Sequence, residues 1–441
     1  MTPTLQRLTA RGRALVQRVK PQSASVRNVL KLAGGTAGSQ VITVAAAPIL
    51  TRLYGPESFG VLATFASILA LLNVVSSLRY ELAIAVPEDD DEAIALVWLC
   101  FVLVAISTAL TALGVALLGD QLASWLDQPA LKTLLWLVPV GVLLAGVYQV
   151  LSYWAIRRKQ FGLLAKTKLN QSITSVTLNL ALAPFGSIGL LLGQIASTSS
   201  GIYQILTGSS RPTSTILTGK SKVKIRTHLA NGAKVAKNYW RISIYNSFAG
   251  LINSLYPLLY SFVLSSTGNI EALGMLFLAK RLVDAPSALV SKSAGDVFLS
   301  QVARAKGADL YKLCKRNIMF LTISSASILM PYVLVLVLFG DRIFGVIWEP
   351  RIQIYLACLV PSSVLQIALG STGLAFVTSD KNLNGLFAQI GMLLFRLVPI
   401  AILSIYGGPI EILPQLVCLG LFMGYSFYGL VLFQSLAYAK V

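Results

Sequence analysis

The sequence predicts an all-α polytopic membrane protein of about twelve transmembrane helices. These form two six-helix lobes related by a pseudo-two-fold axis along the membrane normal. Three observations predict it. Of 441 residues, 55% are hydrophobic and only 12% are charged, about half the roughly 25% charged fraction of a soluble domain. The mean hydropathy is +0.73, and apolar runs of membrane-spanning length recur along the whole chain. The ten-residue alternation of an outer-membrane barrel is missing.

The chain opens on "MTPTLQRLTARGRALVQRVK", which fits a short helix on the membrane surface. At 100° per residue, Leu5, Leu8, Leu15, Val16 and Val19 share one face while Arg7, Arg11 and Arg18 share another. Residues 1–28 therefore read as an amphipathic, basic cytoplasmic segment; a disordered basic tail is the alternative. A cleaved signal peptide is not expected, because the basic region is too long and the apolar stretch too extended.

The apolar runs place helices at 29–52, 59–86, 93–118, 131–155, 163–184 and 187–208, the first lobe (29–208). A basic cytoplasmic linker follows at 209–239. The second lobe (240–441) holds helices at 240–264, 272–299, 317–339, 351–378, 384–406 and 411–438. Several exceed the roughly 20 residues needed to span, so they tilt or extend past the bilayer.

Orientation follows from the basic residues. The first segment, the loops after helices four, six and eight, Lys381 and Lys440 carry 27 of the 36 Lys and Arg. The other side holds Arg52, Lys132, Arg342 and Arg351. The positive-inside rule puts both termini in the cytoplasm. The acidic turn Glu88-Asp89-Asp90-Asp91-Glu92 also lies inside, without conflict, because acids weigh little in that rule. A pI near 9.9 can signal nucleic-acid binding. Here the charges follow topology and lack interleaved aromatics, so anionic lipid headgroups are the expected partners of the basic loops.

Several chemistries are excluded. His228 is the single histidine, so no His-based metal site is expected. Cys100, Cys314, Cys358 and Cys418 are scattered without a C-x-x-C pair, which argues against zinc or redox chemistry. No Walker A sequence is present, and no outer loop is long enough for a catalytic domain. The sequence predicts no cofactor, no metal and no enzyme.

An internal repeat supports the two lobes. With Gly60 opposite Gly274, "FGVLATFASILALLNVVSSLRYELAIAVP" aligns without a gap to "LGMLFLAKRLVDAPSALVSKSAGDVFLSQ". Each follows a helix containing a proline, Pro48 or Pro257. Parallel repeats of this kind hold substrate between the halves, near the midplane.

Three stretches carry a family resemblance: "LTRLYGPESFG" at 50–60, "RYELAI" at 79–84 followed by Pro87 and the acidic turn, and "AKRLVDAPSALVSKSAGDVF" at 279–298. Together they resemble the polysaccharide flippases. These are the O-antigen and lipid-linked oligosaccharide translocases of the multidrug/oligosaccharidyl-lipid/polysaccharide exporter superfamily. The resemblance covers essentially the whole chain. It implies a bacterial cytoplasmic (inner) membrane protein that moves an undecaprenyl-pyrophosphate-linked glycan to the outer leaflet, by lobes that open alternately. The implied partners are that substrate, membrane lipids and proteins of polysaccharide assembly.

The charges inside the eighth run agree with it. On a helical projection Lys280, Arg281, Asp284, Lys292 and Asp296 fall within an arc of about 160°. A charge facing lipid at the bilayer centre costs at least about 2.5–3.5 kcal/mol, so these residues are expected to line a water-filled cavity. There Lys280, Arg281, Lys292 and Arg396, halfway along helix eleven, are the candidate pyrophosphate ligands. Asp284 and Asp296 are the candidate coupling groups or counter-ions. Asp284, four residues after Lys280, also suits simple pairing along the helix. Pro286 removes a backbone hydrogen bond and suits a kink or a hinge.

Weaker candidates follow. Arg79 and Glu81 stand about 200° apart on a continuous helix and so are not expected to share a face. Arg52 suits either the outer mouth or pairing with Glu57. Gln40 and Asn73 suit sugar hydroxyls or helix–helix hydrogen bonds. Two other readings stay open. A cation-coupled multidrug exporter of the same superfamily calls for a net acidic cavity, whereas here the cations outnumber the acids. A membrane glycan polymerase or ligase calls for a long outer loop, which is missing.

Overall fold

The structure, a computed structural model, describes residues 24–125, 134–208, 225–302, 307–348, 351–370, 372, 382–406 and 412–437. The expected surface helix of the first twenty residues lies outside them.

Twelve long helices occur among the described residues, with no strand. They are α1 (Ala24–Leu53), α2 (Pro56–Ser76), α3 (Asp90–Trp125), α4 (Leu137–Arg157), α5 (Phe161–Ala181) and α6 (Ser187–Gly208). The second six are α7 (Ile225–Ser266), α8 (Ile270–Val302), α9 (Gly307–Leu338), α10 (Arg351–Gly370), α11 (Asn382–Tyr406) and α12 (Leu413–Ala437). Nine are long and apolar enough to cross a membrane. The other three are α5, α6 and α8, and all three pack against other helices of the bundle.

Several boundaries differ from the sequence reading; α9, for one, begins at Gly307 rather than at 317. The linker expected at 209–239 is helical from Ile225 onward, because α7 begins there. The helix expected over 59–86 stops at Ser76. Leu78 and Arg79 take left-handed backbone angles, φ 49° and 59°, and Tyr80–Ala85 form a 3₁₀ turn. The break has a physical reason: it folds Glu81 back onto partners that a straight helix would hold it away from. Arg157 then fixes the turn leading into α3. Its guanidinium donates to the carbonyls of Ile84, Pro87, Glu88 and Asp89 and to the Asp90 carboxylate at 3.0 Å.

Pro286 leaves α8 unbroken. A helix proline cannot donate to the carbonyl four residues back, here Leu282, and the Tyr332 hydroxyl of α9 donates to that carbonyl at 3.3 Å instead.

In the first lobe α1 packs on α5, α5 on α6, and α3 on α4; in the second, α9 packs on α10 and α11 on α12. The lobes meet chiefly where α2 crosses α8 and lies along α7. The α2–α8 crossing is at Gly60 and Gly274, the two positions the repeat sets opposite one another. A Cβ on Gly60 would lie 2.2 Å from the Ile270 carbonyl oxygen, and one on Gly274 would lie 1.9 Å from that of Pro56. Small residues permit such approach in lipid, where close packing rather than apolarity holds helices together.

A seal surrounds this crossing, at the end opposite the basic loops. Trp348, fully buried, donates from Nε1 to the Thr51 carbonyl at 2.9 Å and meets Phe59 edge-on at 5.3 Å. Arg52 donates to the Arg342 carbonyl at 2.9 Å. At the basic end, α7 ties to the turn after α2: Ser243 donates to the Leu78 carbonyl at 2.5 Å, and Tyr80 to the Ala236 carbonyl at 3.1 Å.

Gly60→Ala is expected to lower the thermal unfolding midpoint of the purified protein, at a cost of about 1–3 kcal/mol for overpacking against unyielding backbone. Gly162→Ala, where nothing lies within 4 Å, is the matched control. Equal midpoints for the two variants would show that the crossing is not tight.

Candidate functional site between the lobes

Helix α8 places its charges by depth and by face. Asp284 lies ten residues from the glycine crossing, about 15 Å along the axis, near the middle of the bundle. Lys280 Nζ meets Asp284 Oδ2 at 2.9 Å, with the two side chains 28% and 37% exposed. Asp284 Oδ1 is buried without a hydrogen-bond partner. Lys280 turns into the second lobe, where its neighbours are Tyr260 of α7 and Tyr425 of α12.

Arg281 turns the other way. It lines a small cleft of about 20 Å³ against the first lobe, beside Thr43, Val44 and Ala47 of α1 and Phe59 of α2. No described residue pairs with its guanidinium. The structure thus separates two cations that the projection groups together: 100° of helix rotation sends one into a lobe and the other into the seam between lobes. The side chains of Lys292 and Asp296 lie outside the described residues.

Arg396 is 95% buried, since only 5% of it is exposed. Its guanidinium carbon sits 4.6 Å from the Tyr425 ring centroid and 5.4 Å from that of Tyr256. Its Nε has no partner. Gly420 and Gly424 of α12 let α11 come close enough for this box: a Cβ on Gly424 would lie 2.6 Å from Arg396 Cγ. Two aromatic faces stabilise a desolvated cation by about 2 kcal/mol or more each.

The remaining candidates are scattered. Glu81 is wholly buried, which no projection of a straight helix suggests. It accepts hydrogen bonds from Ser77 Oγ at 2.5 Å and Gln149 Nε2 at 2.6 Å, and Arg79 Nη1 lies 3.6 Å away. The expectation that Arg79 and Glu81 diverge is therefore wrong, because the helix ends before them. Arg52 reaches across to the second lobe rather than to Glu57. Asn73 accepts from Ser76 within its own helix at 3.5 Å. Gln40 is half-buried on α1 with no described partner.

Sequence reasoning missed Tyr256, Tyr260 and Tyr425, which frame the cations, and Trp348, which seals the seam. It also counted Lys168 with the basic loop after helix four, although the apolar run at 163–184 contains it; Lys168 lies inside α5 with Nζ 5.2 Å from the Tyr148 ring centroid. The signal was present in "KTKLNQSITS" (166–175), whose Lys168, Gln171, Ser172 and Ser175 recur at helical spacing.

A separate groove of about 570 Å³ lies between α2, α3 and α7, lined by Leu71, Leu72, Val75, Leu110, Leu118 and Phe262 among others. Its walls are mostly hydrocarbon, with Thr64, Ser107, Thr111 and Ser261 among them, and none of its lining residues is charged. On α7, Leu258, Leu259 and Phe262 face this groove, while Tyr256 and Tyr260 face the cations.

Residues 49–349 match the model of the family described as "Polysaccharide biosynthesis protein". The chain belongs to that family. No curated protein matches it in sequence. Among solved structures it is similar to a multidrug resistance MATE family transporter of the MOP superfamily in an inward-facing conformation. That pair shares 17% identity over 95% of each chain, with a TM-score of 0.60. It is also similar to an outward-facing MATE family transporter, at 14% identity over 94% of this chain and 96% of the other, with a TM-score of 0.58. The eukaryotic MATE transporter AtDTX14 is similar at 14% identity over 94% and 98%, with a TM-score of 0.57. These likenesses show the fold: the chain is a multi-pass helical membrane protein of the polysaccharide-biosynthesis family.

Glu81 gives a test outside the spans. Burial pushes its carboxyl above the ordinary value of 4.5, against the pull of Ser77, a backbone amide and Arg79. A raised folded-state value means that the stability from neutral Glu81 is fully present below about 4.5 and is lost as pH rises through the raised value. The unfolding midpoint of the wild type is expected to fall across that window, and that of Glu81→Gln to fall less. Parallel profiles would show that Glu81 stays ionised throughout.

Proposed function

We propose that this transporter carries an undecaprenyl-pyrophosphate-linked oligosaccharide across the bacterial cytoplasmic membrane, with its basic end and both termini in the cytoplasm. One observation carries the reading. Among the described residues the charged set at mid-depth is net cationic: Lys280, Arg281 and Arg396 stand against Asp284, and Arg281 and Arg396 have no acid partner there. Such a set suits a phosphate-bearing headgroup, because charge-assisted bonds to phosphate are among the strongest hydrogen bonds available. It does not suit a cationic drug.

The family match and the cationic residues support the same substrate class. In this reading the pyrophosphate enters from the basic end and meets Arg281 in the seam. It then draws Lys280 away from Asp284, which is left free to take a proton. The lobes part at the seal and release the headgroup on the far side. Directional export needs an ion gradient or consumption of product, since no nucleotide site is present in the sequence.

The reading is tested by export of lipid-linked glycan in cells together with binding of undecaprenyl pyrophosphate to the purified protein. Arg281→Met and Lys280→Met are each expected to weaken binding by about 10- to 150-fold, equivalent to one lost charge-assisted contact of roughly 1.5–3 kcal/mol, and to stop export while protein stays in the membrane. Asp284→Asn is expected to keep binding and lose any dependence of export on a pH gradient. Normal binding by both Met variants would remove these cations from the site.

A further inference from the structure

The first lobe holds a second polar cluster, chemically unlike the first. It lies where α4, α5 and α6 meet. Lys168 of α5 places its ammonium over the Tyr148 ring of α4 and meets no acid among the described residues. Gln171, three residues on, leans with Tyr148 into the space left by Gly201 of α6. A Cβ there would lie 2.4 Å from Gln171 Nε2 and 3.0 Å from Tyr148 Cε2. Ser152 stands four residues after Tyr148, and Gln204 three after Gly201, so each lies on the same helix face as its neighbour. Ser152 Oγ and Gln204 Oε1 are both buried without a hydrogen-bond partner.

Two independent features separate this cluster from ordinary helix glue. Polar residues that join membrane helices do so by bonding to one another, and buried polar atoms are rarely left unpaired. Here the buried Ser152 Oγ and Gln204 Oε1 have no partner among the described residues. Moreover, α5 and α6 are two of the three long helices too polar to qualify as spans by composition. The third is α8, which carries the cations of the proposed site.

The chemistry selects the ligand. Amides and a hydroxyl both donate and accept, as vicinal sugar hydroxyls do. An aromatic face suits the apolar side of a sugar ring. A single cation is too little for a pyrophosphate but suits a ring hydroxyl, an acetamido carbonyl or a uronic carboxylate. A hydrocarbon chain would bury these groups at a loss. Lys168 lies seven residues into α5, about 10 Å from the basic end, and α1 bridges the two sites. One face of α1 touches α5 at Gly35 and Gly38, against Ala165 and Leu169; another lines the Arg281 cleft.

We propose that Tyr148, Ser152, Lys168, Gln171 and Gln204 form a second binding site, which takes a sugar ring of the glycan while α8 takes its pyrophosphate. The proposal rests on the substrate reading above. It divides recognition between the lobes: the second lobe reads the carrier, the first reads the sugar.

The test compares binding to purified full-length protein in lipid nanodiscs. The probes are bare undecaprenyl pyrophosphate and the same carrier bearing one hexose, one N-acetylhexosamine or one uronic acid. At least one sugar is expected to tighten binding about tenfold over the bare carrier. The Gln171→Leu/Gln204→Leu double variant should lose that gain and bind the bare carrier as before; Lys280→Met should weaken all four probes. Should the double variant fail to purify, Ser152→Ala supplies the same test with a loss of about threefold. The proposal is overturned if no sugar tightens binding, or if the first-lobe variants keep the whole gain. Failure of the wild type to bind even the bare carrier would instead overturn the substrate reading.

Discussion

The arrangement of this molecule depends on one constraint: a charge in the bilayer core must not face hydrocarbon. Helix α8 carries Lys280, Arg281 and Asp284 at mid-depth, so it has to be enclosed. It is enclosed by α2, α10, α1 and α7. Enclosure on the α2 side requires two backbones to come almost into contact, and only Gly60 and Gly274 permit that. Arg396 obeys the same constraint differently, through a box of tyrosines from α7 and α12 and two glycines on α12. Glu81, outside the spans, is enclosed as well. The chain breaks its helix and adopts two left-handed residues so that a buried carboxylate can meet Ser77, Gln149 and Arg79.

Helix α7 links these solutions. Its tyrosines face the cations, its leucines face an apolar groove, and its first turns hold the Leu78–Ala85 region of the other lobe. Contacts between the lobes combine the tight α2–α8 crossing and the α2–α7 packing with polar ties at either end: Trp348 to Thr51, Arg52 to Arg342, Ser243 to Leu78, Tyr80 to Ala236. Each such hydrogen bond contributes about 0.5–1.5 kcal/mol net, and one apolar core runs through both lobes.

The sequence showed the architecture clearly. The twelve helices and the alignment of Gly60 with Gly274 correspond to what the described residues contain, because hydrophobic length and repeat register are one-dimensional properties. The α2 ending was illegible for a definite reason: helical projection assumes a continuous helix, and nothing in "SSLRYELAIA" announces left-handed Leu78 and Arg79. The same assumption grouped Lys280 with Arg281, although which helix meets each face is decided by tertiary packing. Aromatic partners such as Tyr256, Tyr425 and Trp348 are distant in sequence from what they frame. Lys168 was legible in principle, through the spacing of Gln171, Ser172 and Ser175, but hydropathy alone placed it beside the basic loop.

The central claim is that Arg281 of α8 faces the seam between the lobes and is sealed from the end opposite the basic loops. Arg281→Cys, in a chain whose Cys100, Cys314, Cys358 and Cys418 are replaced by Ala, tests it most directly. The reporter is a charged, membrane-impermeant thiosulfonate applied to each side of sealed, oriented vesicles. Modification from the basic end, and from the other end only when Trp348→Ala is added, is the predicted result. Reaction with a lipid-soluble maleimide alone, with no modification by the charged reagent from either side, would contradict the account.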